Sequence, residues 1–83
     1  MKVTWIDNQA LLSWNAPPQP DIKQYRVWKK GVLGLGAAPL GNTDGTEFAL
    51  HATNVGAKLN VQISSIDVDG LESQRSEPLE IRR

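Results

Sequence analysis

Leu59-Asn60-Val61-Gln62-Ile63-Ser64 alternates apolar and polar side chains without a break. Successive side chains of an extended chain point to opposite faces, so Leu59, Val61 and Ile63 share one face while Asn60, Gln62 and Ser64 share the other. The run therefore predicts a half-buried strand with an apolar inner face. The same period extends outward in both directions. Upstream, Ala10, Leu12 and Trp14 fall together, as do Tyr25 with Val27 and Phe48 with Leu50, while Arg26 and Trp28 lie opposite Tyr25 and Val27. Downstream, Leu79 and Ile81 repeat the pattern. The predicted core is Leu12, Trp14, Tyr25, Val27, Phe48, Leu50, Leu59, Val61, Ile63, Leu79 and Ile81. The first strand admits two phases, one with Val3 and Trp5 inward and one with Ile6 inward.

Turn chemistry separates these runs. Asp7-Asn8-Gln9 divides the first two, and Asn and Asp tolerate turn conformations. Asn15-Ala16-Pro17-Pro18-Gln19-Pro20-Asp21 suits neither a helix nor a central strand. Residues 31–41 hold Gly31, Gly34, Gly36, Gly41 and Pro39, which predicts a loose connection with a short edge strand near Leu40. Asn42-Thr43-Asp44-Gly45 reads as a turn. Asp67-Val68-Asp69-Gly70 reads as a hairpin tip with Gly70 at positive φ. Pro78 opens the last run, where an edge strand tolerates it. Nothing of helical period exceeds two turns. The expectation is an all-β chain of about seven strands in a two-sheet antiparallel sandwich.

Composition narrows the function. The chain has 83 residues, 9 Lys+Arg, 9 Asp+Glu, one His and no Cys, so its formal net charge is zero. This length suits a single small domain over residues 1–83 with a modest core. Without Cys there is no disulfide, no thiolate metal ligand and no thiol nucleophile. Balanced charge argues against nucleic acid as a partner. No stretch has the ~20 apolar residues needed to enter a bilayer as a helix. The first residues also lack an apolar run of signal-peptide length and a small-residue cleavage site. The segment is expected to come from a larger multidomain chain.

The ordered set of motifs resembles the fibronectin type III family, whose fold is an immunoglobulin-like β-sandwich. The resemblance rests on Ala10-Leu11-Leu12-Ser13-Trp14 followed by Pro17, on Ile22 preceding Tyr25-Arg26-Val27, and on Leu59-x-Val61-x-Ile63-x-Ser65-x-Asp67-x-x-Gly70. Ser76-Glu77-Pro78-Leu79-Glu80-Ile81 completes it, so nearly the whole chain is covered. There are departures. Leu59 stands where the family carries the tyrosine of its corner hydrogen bond, and the first strand is short. The last hairpin carries no Arg-Gly-Asp, so integrin binding does not transfer.

Candidate site residues are few. Trp28, flanked by Arg26 and Lys30 and placed on the outer face, could stack on a sugar ring or anchor a protein. The alternative is that it covers strand neighbours and the stems of basic side chains. Lys23, Arg26, Lys29 and Lys30 form a basic cluster, readable as an anion site or as a solvated face paired with Glu72, Glu77 or Glu80. Asp67 and Asp69 resemble a fragment of a calcium loop, but the remaining ligands and the closing Glu are missing, and turn chemistry accounts for both. His51 has no nucleophile in an elbow context to serve. No metal, cofactor or catalytic residue is expected, and the chain is not expected to be an enzyme.

Two functions follow from the resemblance. One is a structural spacer or scaffold between domains of a larger secreted, cell-surface or phage tail protein, with the neighbouring domains as partners and the isolated unit a monomer. The other is recognition of a protein or polysaccharide, as in cell adhesion, through loops 15–21, 42–46 and 67–72, the Trp28 face, or a strand added near Leu40.

Overall fold

The computed structural model describes residues 1–16, 20–31 and 36–82. The expected loop conformation at Pro17, Pro18 and Gln19, and the part of the glycine-rich connection around Gly34, lie outside the described residues. Among the described residues there are seven strands: β1 (Lys2–Ile6), β2 (Gln9–Ser13), β3 (Ile22–Lys29), β4 (Ala38–Thr43), β5 (Glu47–His51), β6 (Lys58–Asp67) and β7 (Leu79–Arg82). They form a three-stranded sheet, β1-β2-β5, and a four-stranded sheet, β4-β3-β6-β7, with every pair antiparallel. The molecule is an all-β, two-sheet antiparallel sandwich.

The inner faces are those set by the period of two. Ala10, Leu12, Trp14, Tyr25, Val27, Leu50, Val55, Leu59, Val61 and Ile81 are buried together, and Val3, Trp5, Ile22, Leu40, Phe48, Ile63 and Leu79 pack partly buried against them. Leu12, Val27, Val61 and Ile81 have no exposed surface, and each buried aliphatic chain contributes about 1.5–3 kcal/mol. Trp14 and Tyr25 meet edge to face at 5.4 Å between ring centroids, the arrangement that ring quadrupoles favour. In β1 the phase falls with Val3 and Trp5 inward, leaving Ile6 54% exposed. Gly41 in β4 lies against Phe48 in β5, where a Cβ would stand 2.8 Å from the ring. A larger side chain at that position would have to displace the Phe48 ring.

Several local expectations are corrected. Asn42 and Thr43 belong to β4, and the bend begins at Asp44. The edge strand expected near Leu40 is present as β4, held by its ladder with β3 despite Pro39, whose missing N–H an edge strand tolerates. A one-turn helix, α1 (Ala52–Val55), appears where none was expected. It is too short for a periodic signal. His51 caps it, and it buries Ala52 and Val55, with Val55 in the same core cluster as Leu59. Ser64 points away from the core as its parity requires, yet it is only 2% exposed. Its cover comes from the outer face, described next.

Candidate functional site

The outer face of the four-stranded sheet carries a connected polar cluster. β3 and β6 set Arg26 opposite Ser64 and Trp28 opposite Gln62. The Trp28 Nε1–H donates to Ser64 Oγ at 2.9 Å, and the Ser64 hydroxyl donates to Glu72 Oε2. Arg26 Nη1 donates to Glu72 Oε1 at 2.8 Å, and its Nε donates to Asn42 Oδ1 at 3.2 Å. Asn42 Nδ2 in turn reaches Gln24 Oε1. Above the indole lie two guanidiniums, Arg26 at 5.6 Å and Arg75 at 5.3 Å from the ring centroid. Indole, hydroxyl, carboxylate and guanidinium thus close a layer over Ser64, which explains its burial.

Glu72 and Arg75 reach this place because residues 72–76 run beside β6 with a slipping register. Glu72 bridges to Ile66, Ser73 pairs with Ser65, Ser76 pairs with Ile63, and β7 then resumes with Leu79 opposite Val61. The segment spends more residues than β6 over the same distance, so it bulges outward. Two serines hold it there. Ser73 Oγ accepts from Ser65 N–H at 2.9 Å and Ser76 Oγ accepts from Ile63 N–H at 3.0 Å. Gln62 adds a bond from its Nε2 to the Ser76 carbonyl. Sequence reasoning named Glu72 as a partner for the basic cluster but overlooked Arg75 and the bond from Ser64 to Glu72. The available signal was Ser73-x-x-Ser76, whose hydroxyls offer a backbone alternative partners.

The expected site residues are therefore split. Trp28 and Arg26 stand together, with the indole N–H and the guanidinium already engaged. Lys30 is exposed beyond the end of β3, and its backbone N–H donates to the Asn60 carbonyl. Asp67 shapes the hairpin tip: its Oδ1 accepts from Asp69 N–H at 3.0 Å and Leu71 N–H at 2.9 Å, while Gly70 adopts φ 84°. Asp69 is exposed on that turn. The tip also presents two apolar side chains to solvent, Val68 at 64% and Leu71 at 69% exposure.

His51 is engaged in α1. Its Nδ1 accepts from Thr53 N–H at 3.2 Å and lies 2.9 Å from Thr53 Oγ1. The Trp14 indole N–H is buried and meets no acceptor among the described residues. No group of three or more His, Asp or Glu side chains is placed to hold a metal ion among the described residues. None of their helices is long and apolar enough to cross a membrane. No family model, curated protein or solved structure matches this chain.

Proposed function

We propose that this chain is a fibronectin type III-like module serving as a structural spacer or scaffold between domains of a larger extracellular, cell-surface or virion protein. The observation that carries the reading is where the outermost strands lead. β1 starts with Lys2 opposite Ser13, at the end of the sandwich where Ser13 faces Glu47. β7 finishes with Arg82 opposite Lys58, just after the turn that follows α1 at the other end. Chain entering before β1 and leaving after β7 would continue from opposite ends, which is what a linear array needs. The arrangement of three and four strands, with Trp14 in the core, supports the family likeness.

The test is deletion of residues 2–82 from the parent chain, followed by small-angle scattering. The expected result is that the flanking domains keep their own activities while their separation shrinks on the scale of the sandwich's 37 Å longest dimension. An unchanged separation refutes a spacer role.

A second reading, recognition of a protein or polysaccharide, is favoured by one observation: Val68 and Leu71 stand exposed on a turn stiffened by Asp67. Pre-organised apolar side chains lower the ordering cost of binding. Capture of a partner by the wild-type domain but not by Val68→Ser/Leu71→Ser would establish it. Capture that survives both changes removes the tip from consideration.

A further inference from the structure

Four strands end the two sheets: β1 and β5 in one, β4 and β7 in the other. An open edge invites added strands, and folded proteins blunt edges with Pro, Lys, bulges or covering groups. Three of the four are blunted. β4 contains Pro39 and meets a register shift at Val27/Trp28. β7 has four residues, and its Arg82 carbonyl accepts the Trp5 indole N–H at 2.9 Å. β1 begins with Lys2 and is tied to β7 by that same indole. β5, Glu47-Phe48-Ala49-Leu50-His51, has no Pro, Lys or bulge and keeps regular register with β2 throughout.

Among the described residues, the hydrogen bonds show which groups of β5 are free to pair. Trp14 N–H donates to the Thr46 carbonyl at 3.1 Å and Ala52 N–H to the Asn8 carbonyl at 2.7 Å. These bonds extend the β2–β5 register one step beyond each end. Bonded and non-bonded pairs alternate in an antiparallel ladder, so Phe48 and Leu50 bond to β2. Glu47 and Ala49 then turn both N–H and C=O to the open edge, and His51 turns its N–H there while its carbonyl accepts the first bond of α1; all three residues are exposed.

We infer that β5 seats a second copy of this chain, its own β5 added antiparallel about a two-fold axis through Ala49. The sheet would then run unbroken through both copies. The sequence is self-complementary in that register. Ala49 meets Ala49, and Glu47 meets His51 of the second copy at both ends. The cap decides the imidazole chemistry: Nδ1 accepts from Thr53 N–H, so the ring proton sits on Nε2, a donor for the opposing Glu47 carboxylate. Parallel addition would instead oppose Glu47 to Glu47. This dimer departs from the monomer expected of the isolated unit and is independent of the spacer reading.

The test is sedimentation equilibrium on the wild-type chain up to about 1 mM, since small interfaces form weak complexes. The expected mass rises from 9.1 kDa toward twice that value. Ala49→Lys and Ala49→Glu, exposed changes that place like charges at the two-fold axis, are each expected to remain monomeric, with wild-type circular dichroism. Mixed in equal amounts, they should regain the dimer. A wild-type chain that stays monomeric at 1 mM overturns the proposal. So does a dimer that Ala49→Lys leaves intact, or a mixture of the two variants that does not associate.

Discussion

Ser64→Ala removes one oxygen from the centre of the outer-face cluster, and the expected loss can be worked from its bonds. The hydroxyl donates to the Glu72 carboxylate and accepts from the Trp28 indole. A bond to a charged acceptor contributes about 1.5 kcal/mol and a neutral one about 1 kcal/mol. Glu72 and Trp28 keep partial access to water, which offsets some of the loss, so we expect destabilisation of about 1.5–2.5 kcal/mol. For a chain of this size that lowers Tm by about 8–15 °C. Urea titration followed by tryptophan fluorescence, with a thermal scan by circular dichroism, measures both quantities. Combination with Trp28→Phe gives a double-mutant cycle, and the shared bond predicts a coupling of about 1 kcal/mol. A loss below about 0.5 kcal/mol, or effects that simply add, would refute the claim that Ser64 holds the indole and the carboxylate together.

Three further outcomes are expected. Gly41→Ala drives a methyl into the Phe48 ring and should cost about 1–3 kcal/mol in urea titration, with much of the loss recovered when Phe48→Leu makes room. Asp67→Ala removes the acceptor for Asp69 and Leu71 N–H, so amide exchange at both positions should accelerate while global stability falls by about 1 kcal/mol. His51→Ala deletes the cap of α1 and should lower stability by about 0.5–2 kcal/mol, with faster exchange at the Thr53 amide.

The core was legible because it depends on a property read residue by residue. A period of two assigned Leu12, Val27, Val61 and Ile81 to the interior, where they are fully buried. The phase of β1 was not legible: Trp5 and Ile6 are both large and apolar, and what separates them is the bond from the Trp5 indole to the Arg82 carbonyl, 77 residues away in sequence. The outer-face cluster was half visible. Alternation put Arg26 and Trp28 on that face and named Glu72 as a partner for the basic residues. Arg75 arrives there only through the slipping register of residues 72–76, which pairing with β6 decides. Ser64 shows the limit of parity arguments, because a side chain can point away from the core and still be sealed by its neighbours.

The register of the first and last strands also fixes how the fold would meet a mechanical load. Tension applied through the two termini would pull β1 lengthwise along β2 and β7 lengthwise along β6. Their interstrand bonds would be sheared together instead of unzipping one after another. The Trp5 indole, fastened to the Arg82 carbonyl, would resist sliding of the two terminal strands past each other because it joins β1 of one sheet to β7 of the other.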